Sequence, residues 1–262
     1  MKVIILAAGR GNRLSPLTDD KPKCMVELFG KNLLEWQLEV YKKMGITDIS
    51  VVTGYKNELI RYNDIKLYYN HDFENTNMVE TLFSAEKELS GDVIISYGDI
   101  IFQKNIIEKL IESKDDFSII IDKKWRKYWD IRFENPLDDA ESLILDSENY
   151  IKEIGQKTSN LQEIQGQYIG LMMFKEYATE IIKKFYKRNQ TLSIENENPL
   201  NSNLPFKMSY MTDFLQGLIN EKYKLKAVSI ENGWLELDSI QDYTRYNKLY
   251  EQGKLSDFIK IE

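Results

Sequence analysis

Residues 1–28 read MKVIILAAGRGNRLSPLTDDKPKCMVEL. Val3–Ala8 is a continuous apolar run that stops at a glycine, the pattern of a strand buried on both faces of a parallel sheet. A loop of glycines and cations follows and reaches Lys23, next to Pro22. Three phosphate-binding loops compete for this stretch. A Walker loop needs a closing Gly-Lys-Ser/Thr, which is absent. A dinucleotide fingerprint needs a third glycine where Leu14 stands. In the third arrangement, Gly9 and Gly11 let backbone N–H groups approach a triphosphate. Arg13 adds a forked donor, and Lys23 arrives from a separate arm to meet the phosphorus under attack. The bland alternative is a tight turn that happens to hold two glycines.

The pattern continues outward as alternating strands and helices. Leu33–Met44 has helical periodicity and closes at Gly45; Asp48–Gly54 is a second strand and Ile65–Tyr69 a third. Met78, Leu82, Ala85 and Leu89 share one helical face, and Gly91 ends that helix. Asp92–Tyr97 is another apolar strand, stopping at Gly98–Asp99. Ile106–Ile111 reads as helix and Phe117–Ile121 as extended. Such alternation predicts an α/β fold, a Rossmann-like, mostly parallel twisted sheet covered by helices on both faces. Ligands of these sheets bind beyond the carboxyl ends of the strands. That rule gathers the Gly9 loop, Gly54 and Asp99 around one crevice.

The second half is less regular. Leu143–Leu145, Tyr150–Ile154 and Gln167–Phe174 predict strands of a small added β region, and Glu176–Tyr186 an amphipathic helix. Asn189–Pro205 reads as a long loop. Met211, Phe214, Leu215, Leu218 and Ile219 form a core-facing helical stripe; Lys226–Ile230 and Trp234–Asp238 are strands, and a last helix starts at Ile240. With no repeat and no linker, 1–262 is expected to be a single domain. The glycine loop and the strand ends around it all fall in about residues 1–120, apart from the less regular part of about 121–262.

Composition narrows the chemistry. The chain carries a formal net charge of −7, which disfavours nucleic acid as a partner. The local cations near the N-terminus and in Lys123–Arg132 suit a small anionic ligand. Cys24 and His71 are the only residues of their types, so cysteine zinc sites, disulfide frameworks and histidine triads are excluded or improbable. No apolar run approaches the ~20 residues of a membrane span. The expected setting is the cytoplasm, with no membrane partner, and oligomeric state is not legible.

The segment IILAAGRGNRLSPLTDDKPKCMVEL resembles the signature of nucleotidyltransferases that activate phosphorylated small molecules with an NTP. The resemblance implies nucleotide contacts at Leu6, Ala7, Ala8, Gly9, Gly11, Arg13 and Lys23, and at Gly98. It implies two Mg²⁺ ligands: Asp99, in ISYGD, and Asp238, in GWLELDSIQD. Mg²⁺ is typically held by one or two carboxylates plus phosphates and water; Glu236, two residues before Asp238, could ligate or simply sit at the edge. The implied reaction is attack of a substrate phosphate oxygen on the α-phosphorus of the NTP, with pyrophosphate leaving. Lys23, Arg13 and Asp99 would be its catalytic residues, acting by alignment and charge neutralisation.

NHDFENTNMVETLFSA, GQYIGLMMF and YMTDFLQGLI resemble cytidylyltransferases acting on phosphocholine and related compounds. Residues 75–81 are then expected to close over the pyrimidine of CTP. Asn77 and Thr81 would make polar contacts, with an N-cap as the alternative for Asn77, and Met78 and Leu82 would be core. IIIDKKWRKYWDIRFENPLDDAESL resembles the CTP:phosphoglutamine cytidylyltransferases of bacterial capsule phosphoramidate synthesis. The acceptor site is accordingly expected at Lys123, Trp129, Arg132, Lys157, Tyr168 and Gly170. Lys124, Arg126 and Lys127 are as readily solvated charges on an edge strand, and the tryptophans core. Rival acceptors are phosphocholine, whose quaternary ammonium wants aromatic walls, and 2-aminoethylphosphonate. A non-catalytic nucleotide sensor would not need Lys23, Asp99 and Asp238 together, and a glycosyltransferase would want Asp-x-Asp where Asp99–Ile100–Ile101 stands.

Overall fold

The structure, a computed structural model, describes residues 1–261. β1 (Lys2–Ala7) lies inside a seven-stranded sheet. A short ribbon, β2 (Glu27–Leu28) and β3 (Lys31–Asn32), leads into α1 (Leu33–Lys43). Asn32 starts that helix with a capping box: its Oδ1 accepts from Glu35 N at 2.9 Å and the Glu35 carboxylate accepts from Asn32 N at 3.3 Å. The chain continues through β4 (Ile49–Thr53), β5 (Lys66–Tyr69), α2 (Met78–Phe83), β6 (Val93–Tyr97), β7 (Ile100–Phe102), α3 (Lys104–Glu112) and β8 (Phe117–Asp122). Next are α4 (Trp125–Arg132), the hairpin β9 (Glu141–Leu145) and β10 (Ile151–Lys157), β11 (Gln167–Phe174) and α5 (Glu176–Glu195). α6 (Met211–Asn220), β12 (Lys226–Ile230), β13 (Trp234–Glu236) and α7 (Ile240–Glu251) complete it.

The sheet order is β12-β8-β11-β6-β1-β4-β5. β1 is parallel to β4 and β6, and β8 to β12; β11 runs antiparallel between β6 and β8. The carboxyl ends of β1, β4, β6 and β8 therefore share one edge. Period-two alternation divides the core between two faces. Val3, Ile5 and Ala7 join the layer of α1, α3, α4 and α7, while Ile4 and Leu6 join that of α2, α5 and α6. Val3, Ile4 and Ile5 have no exposed surface, and burying each contributes on the order of 2 kcal/mol.

Four local expectations are corrected. Gln167–Phe174 belongs to the main sheet, not to an added region; of the three strands expected there, β9 and β10 alone lie outside that sheet. Lys123–Arg132 contains a helix, because Trp125, Tyr128, Trp129 and Arg132 recur at helical spacing and are buried together. α5 runs on to Glu195, through residues expected to be loop. The helix bearing Met78 stops at Phe83, and Glu86–Glu88 is a separate 3₁₀ turn. Among the described residues no helix is long and apolar enough to cross a membrane.

Candidate active site

The loop after β1 opens a cavity of about 390 Å³ at the carboxyl edge of the sheet. A Cβ added at Gly9 would meet nothing within 4 Å, so packing does not require that glycine and the space before it is open. Gly11 differs: its φ is +76°, and a Cβ there would stand 3.0 Å from the Cβ of Lys23. It is where the loop turns and where the Lys23 arm crosses it. Thr18 Oγ1 donates to Gly11 O at 2.9 Å and ties the loop to that arm. Gly98 lets β6 end against β1, since its N donates to Leu6 O at 2.8 Å and a Cβ would lie 2.8 Å from that of Ala7. Leu6, Ala7, Gly9, Gly11, Arg13, Lys23 and Gly98 line the cavity with Asp99 and Asp238.

Four charged groups meet at this cavity. Lys23 Nζ donates to Asp99 Oδ2 at 2.7 Å and to Asp238 Oδ1 at 2.8 Å, and Arg13 Nη2 reaches Asp238 Oδ2 at 2.6 Å. The side chains of Lys23, Asp99 and Asp238 are each 13% exposed, so solvent screens them weakly. Burial alone would lower the Lys23 pKa, but Asp99, Asp238 and Glu236 outweigh it and hold the ammonium above the ordinary lysine value. Burial would likewise raise Asp238, and Lys23 and Arg13 hold it below the usual carboxylate range instead. Asp99 comes from the end of β6, Asp238 from just beyond β13, and Leu237 N donates to Asp99 O at 2.9 Å, joining the two segments directly.

This geometry suits one hard cation between two carboxylates. A single ammonium already bridges them, and Asp99 Oδ1 is buried without a hydrogen-bond partner. No cluster of three or more metal-ligating side chains occurs among the described residues. Two carboxylates are what Mg²⁺ needs when phosphate oxygens and water fill the other positions. Glu236 is engaged elsewhere, its Oε2 accepting from Arg132 Nη1 at 2.6 Å. Burial, opposed by Arg132 and reinforced by Asp99 and Asp238, pushes its carboxyl up to about 7.

Several expected contacts lie elsewhere. Thr81 is buried and its Oγ1 accepts from Asn70 Nδ2 at 3.1 Å, so it is committed to the fold. Asn77 caps α2, its Oδ1 accepting from Met78 N at 2.8 Å. Met78 packs against the core as expected and also lines the cavity, as do Asn12 and Cys24. Ala8 is buried beside the cavity, and its carbonyl accepts from Tyr55 N at 3.1 Å. Arg132 is 1% exposed and ion-paired to Glu236 and Asp242, which leaves no group for an acceptor. Trp129 is core, and its Nε1 donates to Asp139 Oδ2 at 2.9 Å. Lys123 lines a separate hollow with Lys109 and Asn232. Gly170, at φ +77°, makes room for a ring: a Cβ there would stand 2.6 Å from Tyr97.

Tyr168 and Lys157 remain open to the acceptor reading. Tyr168 is half-buried and meets Tyr97 edge-on, centroids 5.8 Å apart. Burial raises the pKa of both phenols, and the charge on Asp99 adds to the rise in each. Lys157 is exposed on β10, in register with Glu141 on β9. Burial, then Asp139 and Asp213, pushes the Glu141 carboxyl up to about 7. Sequence reasoning missed Tyr97 and Glu141. A tyrosine closing an apolar strand just before Gly98–Asp99 was the available signal for the first; nothing local marked the second.

Known proteins add an independent comparison. The family model described as a MobA-like NTP transferase domain matches residues 3–142. The CTP:phosphoglutamine cytidylyltransferase of Campylobacter jejuni is 41% identical over 254 residues, covering 92% of this chain and 97% of that protein. The structure of the CTP:phosphocholine cytidylyltransferase of Streptococcus pneumoniae superposes with a TM-score of 0.71 at 21% identity, over 95% of this chain and 98% of the other. That of the inositol-1-phosphate CTP transferase of T. maritima gives 0.72 at 18% identity, over 99% and 98%. At those identities the two structures speak to the fold alone.

Proposed function

The chain belongs to the MobA-like NTP transferase family, and from that premise we propose that it is a Mg²⁺-dependent cytidylyltransferase converting CTP and phosphoglutamine to CDP-glutamine and pyrophosphate. The observation that carries the reaction class is the meeting of Lys23, Asp99 and Asp238 in the cavity of the glycine loop. Cytosine and phosphoglutamine are supported by the extended similarity to the Campylobacter enzyme. Of the aromatic side chains that could wall a quaternary ammonium, Trp125, Tyr128, Trp129, Tyr168 and Trp234, only Tyr168 is not buried in the core. Trp125, Trp129 and Trp234 are packed against one another in the core.

In the reaction, an acceptor phosphate oxygen bonds to the α-phosphorus and the α–β bridging P–O bond breaks, its electron pair leaving on pyrophosphate. A lysine ammonium has three donors. Lys23 gives two of them to Asp99 and Asp238 in the structure, and its ammonium would be freed for an α-phosphoryl oxygen once those carboxylates hold a metal. Arg13, 70% exposed and held at one end by Asp238, can turn to the β and γ phosphates beside the Gly9–Gly11 amides. Asp99 and Asp238 would hold Mg²⁺, which when bound neutralises phosphate charge. No covalent enzyme intermediate is required, so the enzyme's part is alignment and electrostatic stabilisation. Glu141 and Lys157, opposite each other in the hairpin, offer the acid and cation that an amino acid's ammonium and carboxylate require. Residues of about 1–120 would carry the nucleotide and about 121–262 the acceptor, with Asp238 crossing that division to the metal. We assign the reaction to capsule phosphoramidate synthesis in the cytoplasm.

The test is pyrophosphate release with CTP and Mg²⁺ across phosphoglutamine, phosphocholine and 2-aminoethylphosphonate. Phosphoglutamine should turn over fastest, and Asp99→Asn should lower that rate by on the order of 10²-fold. Turnover with phosphocholine alone would overturn the acceptor, and a near-normal rate in Asp99→Asn would overturn the mechanism.

A further inference from the structure

We propose that Arg132 and Asp242 are positioning residues for the metal site, holding the segment that delivers Asp238 without touching nucleotide or acceptor. This rests on the reading of Asp99 and Asp238 as the Mg²⁺ pair. β13 is an unusual support for a metal ligand: three residues long, it pairs with β7 on one side only. Its other backbone edge is satisfied by side chains from α4 and α7. Glu236 N donates to Tyr128 Oη at 2.8 Å, and Tyr246 Oη donates to Glu236 O at 2.9 Å. Beyond the strand, Asp238 N donates to Asp242 Oδ2 at 3.3 Å. The same oxygen accepts from Ser239 N at 3.0 Å and Ser239 Oγ at 2.9 Å, closing the N-terminus of α7.

Arg132 locks this arrangement. Its Nε and Nη2 reach the two oxygens of Asp242 at 3.2 and 3.3 Å, and its Nη1 reaches Glu236 Oε2 at 2.6 Å. All three guanidinium nitrogens are committed, and the side chain is 1% exposed. Burying ions costs more than packing apolar groups of similar volume, so such a network is a poor device for stability alone. It does fix the backbone on both sides of Leu237, the residue that donates to Asp99 O. Asp238 therefore faces Asp99 before any metal arrives. Partners that orient metal ligands typically matter by ~10–100-fold in metal affinity.

The experiment measures Mn²⁺ binding by the full-length, nucleotide-free enzyme, from the EPR signal of free Mn²⁺. Wild type, Arg132→Lys, Asp242→Asn and Asp238→Asn are compared, with thermal melting and metal-free CTP binding alongside. Arg132→Lys keeps the charge and loses the fork, so it serves if Asp242→Asn fails to fold. Both positioning variants should bind Mn²⁺ ~10–100-fold more weakly with CTP binding unchanged, and excess Mg²⁺ should restore their kcat. A lowered melting temperature with wild-type Mn²⁺ affinity would make the network purely structural and overturn the proposal. If Asp238→Asn itself binds Mn²⁺ like wild type, the metal reading falls and takes this proposal with it. If only Asp238→Asn loses Mn²⁺, the metal reading stands and this proposal alone is overturned.

Discussion

Lys23→Ala separates two roles of one lysine. In the structure its ammonium stands between Asp99 and Asp238, all three side chains 13% exposed. Removing it leaves two weakly solvated carboxylates facing each other. Two like charges ~5 Å apart repel by ~3 kcal/mol at an effective dielectric constant of ~20. Removing one partner of a buried pair typically costs ~3–5 kcal/mol. Arg13 still holds Asp238, so the lower figure applies. In a chain of this size ~3 kcal/mol is ~6–12 °C of melting temperature. A divalent cation at ~100 times its Kd returns ~2.7 kcal/mol, nearly the whole loss. The variant should therefore melt well below wild type in chelator and close to it in saturating Mg²⁺. It gains more from Mg²⁺ than wild type does, because no resident ammonium competes for the carboxylates. Differential scanning fluorimetry across a Mg²⁺ series reads both enzymes, and pyrophosphate release at saturating Mg²⁺ should still fall by on the order of 10²-fold. A deficit independent of Mg²⁺, or a metal-saturated variant that turns over normally, would refute the reasoning.

Two further outcomes follow from the neighbourhood of the cavity. Gly170→Ala puts a Cβ 2.6 Å from the Tyr97 ring at φ +77°, so left-handed strain of ~1–2 kcal/mol adds to ~1–3 kcal/mol of overpacking; urea denaturation should show a loss of at least ~2 kcal/mol, and an unchanged midpoint would refute the packing role. Glu141 rises from an ordinary 4.5 to about 7, so the folded state binds more protons between those values and wild-type stability falls as pH rises through that window. Glu141→Gln removes this slope: the variant should match wild type near pH 4.5 and, allowing for partial exposure, exceed it by ~1 kcal/mol above pH 7, whereas parallel melting curves from pH 4 to 8 would count against it.

The sequence was most legible where the backbone itself does the work. Val3–Ala8, Gly9, Gly11 and Gly98–Asp99 are short-range features: an apolar strand, open amides and a strand end. Each can be read from its own neighbours, and the sheet edge gathers them wherever the rest of the chain goes. On the acceptor side, Trp129, Arg132 and Gly170 are committed to the fold, and the sequence hides this for a different physical reason. Arg132 reads as an acceptor contact because a charged residue is rarely buried unless it is paired. Arg132 is buried because Asp242 compensates it, and the two are 110 positions apart. No window along one sequence contains both members of such a pair. Trp129 reads as a ligand contact only while its partner, Asp139 across a turn, is out of view. Gly170 reads as an acceptor contact, whereas the ring it admits belongs to Tyr97, on the neighbouring strand. A residue whose chemistry is answered locally can thus be assigned from sequence. A buried charge or a glycine beside a distant ring cannot, because the sequence shows the need and hides the group that meets it. Arg132 shows the cost of that blindness: it carries the right charge for a phosphorylated acceptor, and the structure spends all of it on holding Glu236 and Asp242.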